Sequence, residues 1–419
     1  MIRVNKFTVV PRTEKQEELL YRLLDGAASL WNRLTYSRRQ QFFDGEDIWE
    51  ADRFYEEYKG LLGSATAETI ERVNNRAWRS FFARRKKDPD ANPPGYWGNK
   101  ENGRELRIFL KNQAYTLQWG RYSRLELAIG REIKPEYGLT PNKRPRFAVE
   151  GNPKWEGNQG ELEISYDELS GEFRGHQSVT VENPEHEPPI SGGAAALDIG
   201  IINLVACATT EGSQFLYDGV LPWEQFEATS EAISGAQSKL PEGQYTSKRI
   251  RRLYRRRSTR RNHCVDALLR DLTERLVEDE VRTIYVGDLI GVIQRTPLKS
   301  TNRKLTGFWA HRRFTGRLES LCEEHGIELQ SVSEFNSSRE CPDCGSVTET
   351  YRHRERLTCS CGYDGHADLT AARTILDRER TDRPRPMARP VRFQWDNHRW
   401  RSTTDVPSWT NPNEQRTNP

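Results

Sequence analysis

No stretch of this sequence is long and apolar enough to suggest a bilayer span. The most apolar run, Gly193 to Ala208, is interrupted by Asp198 and Asn203, and Met1-Ile2-Arg3-Val4-Asn5-Lys6-Phe7 has no apolar core of a secretory leader. No membrane partner is expected, and the cytoplasm is the expected compartment. Methionine is nearly missing, with 2 in 419 residues, and cysteine is scarce and uneven, with four of the 7 between Cys341 and Cys361. An odd count crowded in this way argues against a disulfide framework and for reduced thiols around a metal. An excess of one charge is lacking too: 64 Lys and Arg stand against 61 Asp and Glu, so the net charge of +3 says little about partners. Mean hydropathy is -0.86, yet 11 Trp, 15 Tyr and 15 Phe are too many for a disordered chain.

At about 150 residues per domain the length predicts roughly three domains. Residues 2–10 read as a strand ending at Pro11. Thr13-Glu14-Lys15-Gln16 has capping-box form and starts a helix whose stripe is Leu20, Leu23, Leu24, Ala27, Leu30, Trp31 and Leu34; Ile70, Val73, Ala77 and Phe81 repeat it. A helical domain is expected over 13–95. Beyond Pro89, Pro93, Pro94 and Gly95 the period becomes alternating, at Leu125/Leu127, Leu162/Ile164/Tyr166 and Val179/Val181, with a turn at Ser170-Gly171. A small β-barrel or sandwich is expected over 96–190, completed by residues 1–12.

After the proline-rich 184–189 come buried strands at Ala194–Ile202 and Leu204–Ala208 and a third toward Phe215-Leu216. A long helix follows with Val265, Leu268, Leu272 and Leu276 inward, then a strand over Thr283–Val286 and a helix stopping at Gly326. Strands first and βα units afterwards indicate an α/β layer. The fold class is thus multidomain α+β, with a disordered tail expected over 379–419, where Pro and Arg abound.

Cys341-Pro342-Asp343-Cys344-Gly345 and Cys359-Ser360-Cys361-Gly362 are separated so that four thiolates can meet at about 2.3 Å from one Zn²⁺. The second pair is C-x-C, which leaves His353 or His366 as a reserve ligand. Such a closed site has no open position for substrate, and its work is to fold a loop, here 339–361. Cys207, Cys264 and Cys322 lie on apolar faces and read as core.

Asp198 interrupts Ala195-Ala196-Leu197-Asp198-Ile199-Gly200, where an unpaired charge would cost several kcal/mol. Asp368 opens Asp368-Leu369-Thr370-Ala371-Ala372-Arg373-Thr374-Ile375-Leu376, a short helix expected on the same sheet. Singly, a structural hydrogen bond explains the first and an N-cap the second. Together at a strand end they would hold Mg²⁺, a means of phosphodiester hydrolysis.

Asp198-Ile199-Gly200, Ile284-Tyr285-Val286-Gly287-Asp288-Leu289, the two cysteine knuckles, and Asp368 before Ala371-Ala372-Arg373 together resemble the TnpB family over about residues 194–376. These are transposon-encoded RNA-guided DNA endonucleases related to type V CRISPR effectors. The resemblance implies recognition and wedge domains, a RuvC-like, RNase H-type nuclease domain over 191–338 and 362–378, and a zinc ribbon inserted in it. It also implies a guide RNA, a double-stranded DNA target, catalytic Mg²⁺ beside structural Zn²⁺, and a separately encoded transposase as a further partner.

Two positions depart from the family. Gly287 stands where members usually carry Glu, the middle acid, and Thr370 where they usually carry Asn. Asp288 is adjacent, but strand neighbours point to opposite faces, so it joins Asp198 and Asp368 as a catalytic acid only where the strand ends or bulges. Gln294 could approach but brings no charge.

From Lys248 to Arg261 nine of fourteen positions are basic. Arg251, Arg252, Arg255, Arg256 and Arg257 cover more than one helix face, which suits a guide scaffold or an RNA–DNA duplex; a solvated helix surface is the plainer explanation. Trp31, Tyr36, Trp78, Phe81 and Phe82 could stack on bases, but their helical spacing favours core packing for most of them. Three activities follow: an RNA-guided endonuclease, a non-cleaving RNA-guided DNA-binding protein, favoured by Gly287, and a transposase that joins strands without a guide.

Overall fold

The computed structural model describes residues 1–49, 53–99, 103–182, 192–200, 202–287, 308, 311–380, 385 and 387–403. The chain divides into two units, Met1–Glu182 and Asn183–Pro419.

In the first unit β1 (Ile2–Val10) alternates exposed and buried residues and leads into α1 (Glu14–Asp44). Thr13 Oγ1 accepts the Gln16 N–H at 3.2 Å, while Gln16 Oε1 takes the N–H of Arg12 rather than that of Thr13. Helices α2 (Arg53–Leu62) and α3 (Ser64–Arg85) follow, then the short β2 (Gly98–Asn99) and β3 (Gly103–Arg104). The strands β4 (Arg107–Leu110), β5 (Tyr115–Gln118), β6 (Arg124–Leu127), β7 (Arg146–Glu150), β8 (Asn158–Asp167) and β9 (Glu172–Thr180) form, with β1, a seven-stranded antiparallel sheet. Its order is β4-β8-β9-β1-β7-β6-β5, so the N-terminal strand lies at its centre. The turn between β8 and β9 needs Gly171, whose φ of 74° is left-handed. The helical and β segments share one core: Leu20, Leu24 and Leu30 of α1 join Leu125, Leu162 and Ile164 of the sheet.

The second unit opens with β10 (Gly193–Ile199), β11 (Asn203–Thr209) and β12 (Gln214–Asp218), successively antiparallel. After α4 (Val220–Gln237) and α5 (Lys248–Glu278), β13 (Val281–Gly287) pairs parallel with β10. Past α6 (His311–His325), β14 (Glu328–Val332) pairs parallel with β13. The knuckle segment carries its own sheet of β15 (Thr350–His353), β16 (Arg356–Cys359) and β17 (Asp364–His366), and α7 (Ala367–Glu379) returns to the large sheet. This is the RNase H-like order, antiparallel on one side of β10 and parallel on the other.

Period-two alternation divides the two faces. Leu197, Val205, Cys207, Ile284 and Val286 face Leu268, Leu272 and Leu318 of α5 and α6. Ala194, Ala196, Ala208 and Tyr285 face Ala372, Ile375 and Leu376 of α7. Alanines from both sides let α7 seat close to the strands, which brings its first turn to the strand ends.

The expected disordered tail over 379–419 is corrected by the structure for residues 391–403, while 404–419 lie outside the described residues. Helix α7 runs to Glu379, β18 (Val391–Trp395) pairs parallel with β12, and β19 (Trp400–Thr403) closes the sheet. Phe393 is fully buried, stacked on Tyr217 with ring centroids 4.8 Å apart and capped by the Arg275 guanidinium at 4.3 Å. Asp271 holds that guanidinium at 3.0 Å and accepts the Tyr217 hydroxyl at 2.6 Å, so the added strand meets a prepared surface. Phe393→Ala should therefore lower unfolding stability by about 3–5 kcal/mol in a denaturant titration; a loose tail would give no change.

Candidate active site

Asp198 shares the face of Ala194 and Ala196, the one α7 covers, and stands at the end of β10. Asp368 lies in the first turn of α7, after the extended N-cap His366, where the helix dipole favours an anion. The two are close enough to interact: burial, then the carboxylates of Asp368 and Glu334, hold the Asp198 carboxyl well above the usual carboxylate range, while Arg352 pulls it down.

Asp368 is fixed through both oxygens. Oδ2 accepts from Asn203 Nδ2 at 2.9 Å and Oδ1 from Arg352 Nη2 at 2.8 Å. Asn203 opens β11 and is 1% exposed, and its Oδ1 has no hydrogen-bond partner among the described residues. An unsatisfied amide oxygen on a residue bonded to Asp368, with Asp198 near, offers oxygen donors of the kind that could hold Mg²⁺.

Glu334 arrives from the loop after β14. Its carbonyl accepts the Ser337 N–H at 3.1 Å and hydroxyl at 3.0 Å, and Arg378 of α7 donates to the Phe335 carbonyl at 2.7 Å. The loop is thus tied to the helix that carries Asp368.

Of the expected acids, Asp198 and Asp368 come together; Asp288 and Gln294 lie outside the described residues. Asn203, Glu334 and Arg352 were missed. Thr370 turns from the acids, its hydroxyl 2.7 Å from that of Tyr363.

Cys341, Cys344, Cys359 and Cys361 bring their sulfurs within 4.8 Å of one another. Cys341–Cys361 and Cys344–Cys359 are each 3.6 Å apart, near the roughly 3.8 Å edge of a tetrahedron with 2.3 Å Zn–S bonds. Gly345 and Gly362 supply φ of 71° and 100° at the turns, and a backbone hydrogen bond at Cys361 helps draw Cys359 down to about 7. The cluster could hold zinc with no histidine: His353 belongs to β15, and His366 is buried, 3.9 Å from Glu355. Cys207, Cys264 and Cys322 are buried core residues, as expected.

Residues 176–292 match a family described as a probable transposase, and residues 311–375 match the TNB domain of Cas12f1-like proteins. A TnpB-like protein, ORF457 of Acidianus two-tailed virus, is 26% identical over 422 residues, covering 92% of this chain and 88% of the viral one. Over most of its length the chain is similar to this TnpB-like protein. A relation to type V effectors accompanies this: the CRISPR-associated endodeoxyribonuclease Cas12f1 of an uncultured archaeon is 27% identical over 112 residues, 23% of this chain and 21% of that protein. The solved Cas12f1–sgRNA–target DNA complex shares the fold, with TM-score 0.62 and 14% identity over 87% of this chain and 83% of the other.

The arginine run lies in α5, capped by Ser247 Oγ accepting from Ile250 N–H at 3.2 Å. Arg251, Arg252 and Arg256 are exposed, and Arg255 is half-buried. Arg257 packs on α4, bonded to Ser230 at 2.9 Å and lying 4.8 Å from the Phe226 ring. Trp31, Trp78 and Phe81 are buried core residues and Phe82 packs beside Trp78 and Phe81, as their spacing predicts, whereas Tyr36 is exposed. No described helix is long and apolar enough to cross a membrane.

Asp198→Asn removes the carboxylate repulsion and should raise the Tm of the metal-free protein, at about 2–4 °C for each kcal/mol relieved. The folded carboxyl titrates above its unfolded value, so its contribution favours the folded chain at low pH and is lost as pH rises through the folded-state value. The gain should accordingly widen as pH rises, as calorimetry can measure. Cys341→Ser should abolish the one zinc per chain that metal analysis of the purified protein is expected to find.

Proposed function

We propose that this chain is an RNA-guided DNA endonuclease of the TnpB family that hydrolyses target phosphodiesters at Asp198 and Asp368. The observation that carries the reading is the convergence of those carboxylates at the end of β10 and the start of α7, beside a buried amide oxygen without a partner. Mg²⁺ held there would activate a water and neutralise the charge that develops on the scissile phosphate. Asn203 and Arg352 keep Asp368 oriented, and the Arg352 guanidinium, half-exposed beside it, offers a cation to the strand phosphate. In the hydrolysis the water oxygen bonds to phosphorus, the bond to the leaving oxygen breaks, and that oxygen takes up a proton.

Guide RNA and duplex DNA are the partners of this reading, supported by the fold shared with Cas12f1, which was solved with both. Base pairing then reads the target, and the exposed arginines of α5 bind backbone phosphate. A non-cleaving RNA-guided binder is the second reading, favoured by the missing carboxylate at Gly287. A separately encoded transposase would do the strand joining.

The protein purified with its RNA, given guide-matched and mismatched duplexes, should cut only the matched one, in Mg²⁺ and not in EDTA. Asp198→Ala and Asp368→Ala should each slow cutting by roughly a thousandfold while target retention persists. Matched retention without cutting by the wild type supports the second reading, and indifference to the guide removes both. Replacing Arg251, Arg252 and Arg256 with Ala should reduce the slope of log affinity against log salt by about one per residue, measured by filter binding.

A further inference from the structure

We infer that Glu334 is the third acid of the metal site, reaching from the loop after β14 into the space that a side chain at Gly287 would fill. The inference rests on the metal-dependent reading above and adds to it a residue from a different strand.

The register supplies the geometry. Leu197 pairs with Val286, so Asp198 and Gly287 stand one residue farther along β10 and β13, and Gly287 is paired in turn with Val332 of β14. Alternation assigns these positions to one face. Asp198 follows Ala194 and Ala196, Gly287 follows Tyr285, and Val332 packs against the same cluster beneath α7. Glu334 is two residues beyond Val332, and its side chain turns back across Gly287: a Cβ built on that glycine would collide with Cγ, Cδ and Oε1 of Glu334. The carboxylate therefore occupies the volume that a glutamate at 287 would need. Gly287 is required here for close approach, not for a left-handed turn, since it is not among the positive-φ residues.

A second observation, independent of the acids, marks the place as one that takes a ligand. Asn203 is 1% exposed, donates through Nδ2 to Asp368, and carries an Oδ1 with no hydrogen-bond partner among the described residues. Three carboxylates and that oxygen suit a hard divalent cation. The third acid thus comes from the loop after the neighbouring strand: glycine on β13 makes room, and the loop pinned by Arg378 supplies the charge.

The test is Mn²⁺ binding to the full chain, read by the loss of the free-ion electron paramagnetic resonance signal. Glu334→Gln, isosteric and spared any packing change, should weaken binding at least about tenfold, as Asp198→Asn does. The exchange variant Gly287→Glu/Glu334→Ala should return to within about threefold of wild type, and guide-dependent cutting should follow the same order. Wild-type affinity in Glu334→Gln with loss in Asp198→Asn overturns the assignment of Glu334 and leaves the metal site standing. A tenfold loss in Asp288→Asn with Glu334→Gln unaffected transfers the role to Asp288. No loss in any of the variants removes the metal-dependent reading itself.

Discussion

Like charges held together in a half-buried crevice are the constraint around which the nuclease-like unit is organised. Burial, and then Asp368 and Glu334, oppose a charge on Asp198, so the arrangement persists only because the surrounding fold holds these groups in place. Two short strands fix Asp198 and the backbone at Gly287, a helix seated on alanines fixes Asp368, and a loop tied by Arg378 fixes Glu334. Arg352 and Asn203 offset part of the repulsion by holding Asp368 from two sides. Remove the alanine face and the helix would stand off, and the acids would separate into water, where each is comfortable and none acts with another.

Much of this frame is legible in the sequence because it follows from local rules. The Thr13 cap, the alternation of β1, the alanine-rich strand broken by Asp198, and the glycines after each knuckle all report their own surroundings. What escaped depends on pairing between distant segments. Glu334 follows a strand of mixed polarity and has no periodic signal; only the in-register contact of Gly287 with Val332 brings it across. Asn203 and Arg352 matter through Asp368 alone, which the sequence does not place beside them.

The final strands escaped for a different reason. Val391, Phe393 and Trp395 alternate as a strand should, but arginine and proline nearby depress the mean hydropathy, and composition outweighed period. The burial of Phe393 depends on Tyr217, Asp271 and Arg275, which come from two earlier elements. Its place is invisible to any window of sequence that excludes those residues.

The cysteine tetrad lies between Glu334 and Asp368 along the chain, and the hairpin it anchors carries Arg352. Both ends of the knuckle module therefore border the acidic crevice, although its sulfurs take no part there. Loading of the tetrad becomes a condition for the spacing of groups on either side, so oxidants or metal scarcity would reach the acidic crevice through its scaffolding and leave its own oxygen donors chemically untouched.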